Sequence, residues 1–391
     1  MTTRSARLGR ALGGLLAAAL LVTACSGTGA RVPGSPAASP ASSSDRPSAA
    51  DVSPATDIGK GDKAQVTGAG STAIYPWLGA IAQSYERDVA TGVSLNYQAI
   101  GSGGGVTQFT AKTVDFGASD IYLSDAQEQQ IGVPVLNVPM IHWAVAITYD
   151  LPGVSADLRF SPGTLAGIYL GKITAWDDPR VAADNPGLTL PSLGITVVHR
   201  SDGSGTTYNF SAFLAATDAT WKAGPGMGTS LSWPVGVGGK GNAGVAALVK
   251  QTPGAIGYVD LAYATQNSLA VGQVENAAGS FVKPSLAATT AAIAAAAADA
   301  PADLRFLAVA PPASSPEAYP IAASTWVLLY RDYPASKLAE ATALVHFLWW
   351  AIHDGQGYAA QVDYAAMAPA LVAKAEAALR SVTVGGRPIL P

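Results

Sequence analysis

The chain has 391 residues, 49% of them hydrophobic and 13% charged, with 23 basic residues against 27 acidic ones for a formal charge of −4. That length favours two domains with ample core. The acidic balance excludes a nucleic-acid partner, which demands a basic face, but not one small anion, because a local cage of dipoles binds an anion inside an acidic protein.

The first 24 residues read as a targeting segment. Arg4, Arg7 and Arg10 form its charged region, and Ala11 to Val22 form an apolar stretch too short for a comfortable membrane span. Without those three arginines, 20 basic residues face 27 acidic ones, a net of −7. The stretch ends Leu21-Val22-Thr23-Ala24-Cys25, which looks like a bacterial lipobox with Cys25 as the lipidated first residue of the mature protein. A plain signal peptide with an incidental cysteine is the alternative. Cys25 is the single cysteine, so no internal disulfide forms. Residues 25–63 continue as a Ser/Ala/Pro/Gly tract that cannot bury enough apolar surface to order itself, so a flexible linker is expected there.

The folded part is expected to start near Ala64. Ala64 to Thr67 is strand-like, and Leu78, Ile81, Ala82, Tyr85 and Val89 then recur at helical spacing. Val93 to Ala99 alternates as a strand, and the glycines from Gly101 open a short helix. Thr113 to Gly117 is a strand ending at Ser119-Asp120. Further on, Ile195 to His199 is a strand feeding a helix through Phe213, and Ala255 to Val259 is a short strand. Ala287 to Ala298 reads as an alanine-rich helix, Ala being the best helix former, with a low-complexity linker as the alternative. Trp326 to Tyr330 is a strand, and Leu338, Ala341, Val345, Leu348 and Ile352 form a helical stripe that stops near Gly355. Strand and helix alternate along most of the chain, which predicts α/β layering.

Three glycine-hydroxyl loops interrupt this pattern: Gly68-Ala69-Gly70-Ser71-Thr72, Gly101-Ser102-Gly103-Gly104-Gly105 and Gly203-Ser204-Gly205-Thr206-Thr207. Each follows a strand-like run and precedes a helical one. A helix start carries unpaired N–H donors and a partial positive charge. Glycine lets backbone approach an anion, and Ser or Thr adds hydroxyl donors. Arg200 lies just before the third loop, and Asp202 is placed to orient its guanidinium. Asp120 ends another strand, where a plain helix cap competes with a ligand role. Together these residues suggest a cage for a small oxyanion that still carries a proton.

Enzyme motifs are missing from the same loops. None supplies Gly-x-x-x-x-Gly-Lys-[Ser/Thr]. The third glycine of a dinucleotide fingerprint is replaced by Ala73, Val106 and Tyr208. Ile100 and Asp202 stand where a nucleophile elbow needs glycine before Ser102 and Ser204. His142, His199, His346 and His353 have no metal-motif spacing. His346 and His353, beside Trp349 and Trp350, are expected to pack or face solvent.

With these motifs in view the chain resembles the phosphate-binding proteins of bacterial high-affinity phosphate ABC transporters, in their lipoprotein form. The carrying segments are Gly-Ala-Gly-Ser-Thr at 68–72, Thr-Val-Asp-Phe-Gly-Ala-Ser-Asp at 113–120, Ile-Tyr-Leu-Gly-Lys-Ile-Thr-Ala-Trp-Asp-Asp-Pro at 168–179 and Arg-Ser-Asp-Gly-Ser-Gly-Thr-Thr at 200–207, joined by Gly-Gly-Lys-Gly-Asn at 238–242 and Gly-Ala-Ile-Gly-Tyr-Val at 254–259. The alanine richness and the lipobox are similar to actinobacterial members.

The resemblance implies a two-lobed type II periplasmic binding protein fold of α/β class with two crossover segments. Lobe I would span 64–141 and 327–391 and lobe II 142–326, with crossings near 142–149 and 320–326. It implies these phosphate ligands: Thr72 by hydroxyl and amide, the Ala73 amide, Ser102, Asp120 as acceptor of the ligand's proton, Arg200 held by Asp202, and Ser204, Gly205 and Thr206. It also implies no catalysis, cofactor or metal, delivery of phosphate to an ABC permease and its ATPase, and attachment to the outer face of the cell membrane through Cys25. The competing readings are a secreted phosphatase or phosphotransferase, and a receptor, sensor or adhesin for another oxyanion on the same scaffold.

Overall fold

The computed structural model describes residues 58–297 and 300–391. The targeting segment, Cys25, most of the expected linker and Ala298 lie outside the described residues. The described chain already includes Ile58 to Asp62, in the segment 25–63 where a linker is expected. Ile58 packs on the core, and Asp62 Oδ2 lies 2.7 Å from His346 Nδ1. A turn anchored this way has found apolar and polar partners that its glycine-rich composition does not advertise.

In chain order the strands of two sheets are β1 (Lys63–Gly70), β2 (Gly92–Ala99), β3 (Phe116–Ser119), β4 (Val135–Tyr149), β5 (Arg159–Phe160), β6 (Thr196–Arg200), β7 (Val237–Gly239), β8 (Ala255–Asp260), β9 (Ala270–Val271), β10 (Gln273–Glu275), β11 (Phe281–Val282) and β12 (Ala322–Tyr330). The main sheet runs β2-β1-β3-β12-β4-β8-β6-β7, with β9 also paired to β4, while β11-β10-β5 form a small sheet. The pairs β1–β2 and β1–β3 are parallel, as are β6–β7 and β6–β8. Parallel pairing needs crossover connections, and helices supply them here. This is the predicted α/β layering.

The centre of the sheet is antiparallel. Residues Val135 to Ala144 of β4 pair with β12, and Val145 to Tyr149 pair with β8. One strand therefore changes partners between Ala144 and Val145. The Val145 amide donates to Ile321 O at 2.9 Å, just before β12 begins. Both strands are buried almost throughout, which explains their unbroken apolar runs. His142 sits beside this point, with Nδ1 2.7 Å from Ser324 Oγ of β12. Burial pushes its pKa down to about 3, so it stays neutral.

Local chemistry explains the helix starts. Ser204 caps the helix Gly205–Thr217 by accepting from the Thr207 amide, and Ser124 forms a capping box with Gln127. The stripe from Leu338 becomes the helix Leu338–Ile352, and the alanine run becomes the helix Leu286–Ala297. Several strand boundaries differ from expectation, and β12 begins at Ala322 rather than Trp326. β1 runs on through Gly68–Gly70, so the first glycine loop is partly strand. β3 begins at Phe116 rather than Thr113, because Lys112 takes φ +58° and the Asp115 carboxylate turns to the Thr67 amide and hydroxyl, both at 2.8 Å. His353 lies just beyond its expected helix, bonded to Trp349 O and Glu376 Oε1. Trp349 is buried, as core packing requires.

Candidate functional site

Two sets of three parallel strands, running in opposite directions, end at one place. Gly70 of β1 leads into Ser71-Thr72, Ala99 of β2 into Gly101-Ser102, and Ser119 of β3 into Asp120. On the other side, Arg200 ends β6, Gly239 of β7 leads to Gly241-Asn242, and Asp260 ends β8. Carboxyl ends of parallel strands are where open α/β sheets hold their ligands. Helices start at Ser102, Gly205 and Gly241, with their first amides turned toward this region.

The two sets of loops touch. The Gly103 amide donates to Gly203 O at 2.9 Å, and the Gly205 amide donates to Ser102 Oγ at 3.1 Å. A side chain at Gly205 would place Cβ 2.4 Å from Asp120 Cβ, and one at Gly101 would place it 2.2 Å from Asp202 Oδ2. These two glycines therefore permit backbone approach that alanine would block.

Asp120 is 2% exposed and surrounded by hydroxyls. Ser71 Oγ donates to its Oδ1 at 2.5 Å and Thr325 Oγ1 to the same atom at 2.6 Å, while Ser102 Oγ reaches Oδ2 at 3.2 Å. Burial raises its pKa above the usual carboxylate range. The Ser71 and Thr325 hydroxyls, the Arg200 charge and the Ser102 hydroxyl oppose that rise without cancelling it. Thr325 stands where the pairing of β12 with β4 shifts register: Thr325 pairs with Ile141 and Trp326 with Pro139, so β4 carries the extra residue, Met140. Proline inside a sheet is tolerated at such irregularities, and bulges re-aim side chains.

Arg200 is 4% exposed. Its Nε and Nη2 grip Asp202 at 2.8 and 2.5 Å, and Nη1 donates to Thr206 Oγ1 at 3.3 Å. Asp202 also accepts from the Gly241 amide at 2.9 Å. Burial pushes the Asp202 carboxyl up, but Arg200 and the Gly241 amide outweigh it and hold it below the usual range. A fork fixed by one carboxylate keeps its remaining donors in a set direction.

The sequence candidates Thr72, Ala73, Ser102, Asp120, Arg200, Ser204, Gly205 and Thr206 are all buried here, with Asp202 behind Arg200. The expected ligand groups have protein partners, Ser102, Arg200 and Thr206 as described and others besides. The Ala73 amide donates to Ser71 Oγ at 2.9 Å, the Gly205 amide to Ser102 Oγ, and Ser204 Oγ accepts from the Thr207 amide at 3.1 Å. A groove of about 630 Å³ opens beside Thr72, Asp202 and Gly241, walled by Tyr75, Tyr263 and Lys240.

Sequence reading passed over several residues of this cluster. Ser71 lies inside the first glycine loop with no separate signal of its own. Asn242 belonged to a recognised segment, and the glycines before it were a fourth loop signal. Thr325 and Asp260 carried no local signal. Tyr97, Tyr263 and Tyr364 donate to the backbone carbonyls of Ser71, Thr72 and Ala73 in turn, clamping the first loop. Among the described residues no group of three His, Cys, Asp or Glu is placed to hold a metal, and no helix is long and apolar enough to cross a membrane.

Comparison with known proteins agrees with this architecture. The PBP superfamily domain matches residues 51–354. The phosphate-binding protein PstS of Xylella fastidiosa (strain 9a5c) is 42% identical over 324 residues, covering 80% of this chain and 84% of its own. The phosphate-binding protein PstS3 of Mycobacterium bovis (strain BCG / Pasteur 1173P2) is 37% identical over 278 residues, 70% of each chain. Among solved structures, a high affinity periplasmic phosphate-binding protein (PfluDING) bound with phosphate shares the fold at a TM-score of 0.64 and 23% identity, over 80% of this chain and 93% of that one. With this α/β periplasmic binding protein fold, and with relatives of that identity and coverage, the chain belongs to the PBP superfamily and, within it, to the PstS phosphate-binding proteins.

Proposed function

We propose that the protein is an extracytoplasmic receptor that binds inorganic phosphate and hands it to an ABC permease, catalysing no reaction itself. One observation carries this reading. A buried guanidinium and a buried carboxylate, Arg200 and Asp120, stand among hydroxyl and amide donors at the ends of six strands. The guanidinium and the donors suit an oxyanion, and the carboxylate suits one that still bears a proton. Phosphate near neutral pH is such an ion. The ligand set is Thr72, Ala73, Ser102, Asp120, Arg200, Ser204, Gly205 and Thr206. Ligand oxygens replace the protein partners that the Ala73 and Gly205 amides now hold. The PstS relatives support phosphate as the ion.

The change of partner in β4 supports a hinge. On this reading 64–141 and 327–391 form one lobe and 142–326 the other, crossed near 142–149 and 320–326. Ligand bridging both lobes favours the closed arrangement by differential affinity. Calorimetric titration of a soluble chain starting after Cys25, stripped of carried-over phosphate, is expected to show one-to-one phosphate binding and no sulfate signal. Small-angle scattering of the same samples should contract with phosphate. No heat with phosphate in folded, stripped protein would overturn the reading.

Cys25 is the lipid attachment point on this proposal, tethering the receptor to the outer face of the membrane. The lipobox-like Leu-Val-Thr-Ala-Cys run supports it, and the mycobacterial relative supports an actinobacterial type. Cys25→Ser is expected to move the protein from the membrane to the soluble fraction. Unchanged membrane association would remove Cys25 as the anchor.

A further inference from the structure

We infer that Asn242 is a positioning residue that forces the Thr72 hydroxyl to act as a hydrogen-bond donor toward the bound anion. The inference rests on the phosphate reading above. It starts from a donor whose direction is unambiguous, the backbone amide of Asp260. That amide donates to Asn242 Oδ1 at 3.1 Å. The oxygen of the Asn242 amide is thereby identified, and its Nδ2 must be the atom facing Thr72. Nδ2 donates to Thr72 Oγ1 at 2.9 Å, and the Asn242 backbone amide approaches the same oxygen at 3.4 Å.

A hydroxyl has two acceptor lone pairs and one proton. Asn242 fills both acceptor positions of Thr72 Oγ1. The remaining proton has to point away from Asn242, and the Thr72 hydroxyl becomes a donor before any ligand arrives. A free hydroxyl would have to choose its direction on binding. Asn242 is wholly buried, as is Asp260, and Thr72 nearly so, so water does not compete for these positions. The residues lie 170 positions apart, one after β1 and the other after β7. Asn242 Oδ1 also accepts from Thr206 Oγ1 at 3.4 Å, so the same amide reaches a second hydroxyl of the cage.

The test is phosphate affinity of Asn242→Ala and Asn242→Asp, each alone and combined with Thr72→Val, with thermal melts to confirm folding. Asn242→Ala is expected to weaken phosphate binding about tenfold, the scale of one oriented hydrogen bond. In the Thr72→Val background it should cost about twofold or less. Asn242→Asp has the same shape but no Nδ2 donor. Its carboxylate would draw the Thr72 proton away from the anion, so it is expected to bind phosphate more weakly than Asn242→Ala, with a smaller gap between the two when Thr72 is Val. The new carboxylate also repels the anion in either Thr72 background, so only the part of its cost that disappears with Thr72→Val reports on the direction of the hydroxyl. Equal costs in both Thr72 backgrounds, or an Asp variant that binds like the native protein, would overturn the inference. If Asn242→Ala does not fold, the Asp variant carries the same comparison. Native protein that binds no phosphate would instead overturn the functional reading itself.

Discussion

Asp120→Asn is expected to admit sulfate. The carboxylate accepts a hydrogen bond from a protonated oxyanion, but it faces a fully ionised one with no proton between them. Like charges together, or a buried acceptor left unpaired, cost enough for large discrimination. An amide has an NH₂ to offer in the same place. The variant should therefore gain sulfate affinity by about a hundredfold or more, within the range that buried polar sites use to reject analogues. Arsenate, which shares phosphate's protonation, should compete in both proteins. Competition calorimetry checks this, and unchanged sulfate rejection would sink the role given to Asp120.

The raised pKa of Asp120 adds a pH dependence. Sulfate rejection requires the ionised acid, so it should weaken as pH falls through that raised value. Stability has its own sign. The native state holds this proton to a higher pH than the unfolded chain does. Ligand-free stability is therefore lost as pH rises from the unfolded value, about 3.9, through the raised native one. Asp120→Asn removes that loss. The variant should melt higher than the native protein above this window, and should lose the advantage below it.

Arg200→Met should abolish measurable phosphate binding, a loss of about a thousandfold or more. Removing one member of a buried pair leaves the other uncompensated at a cost of about 3–5 kcal/mol. Here Asp202 would be left with the Gly241 amide and no cation. The melting temperature should fall with the affinity. Arg200→Lys keeps the charge but loses the two-pronged grip on Asp202, because an ammonium has no planar fork. It should bind phosphate better than the Met variant and still well below native. Titration and thermal melts of the two variants separate charge from geometry. Equal affinity for Lys and Arg would mean that the fork is not needed.

The sequence alone determined the layering and the three loops. Each of those is written locally. Helical spacing marked the helix that became Leu338–Ile352, and alternation marked β2. Ser204 stands where a helix cap belongs, and Arg200 and Asp202 are two residues apart. Glycines at 101 and 205 announced a close approach, although not what approached. The tertiary structure decided what meets in the cage. Thr325 reaches Asp120 across 205 positions, Asn242 reaches Thr72 across 170, and Tyr364 reaches Ala73 across 291. No periodicity or spacing encodes such pairs. They exist because the strand order β3-β12-β4-β8-β6-β7 sets distant strand ends side by side, with Thr325 on the strand next to β3. Hydroxyls and amides also have several partners open to them in a flexible chain. Their proton directions are settled by burial, which removes water and leaves each donor the few acceptors that packing has placed beside it.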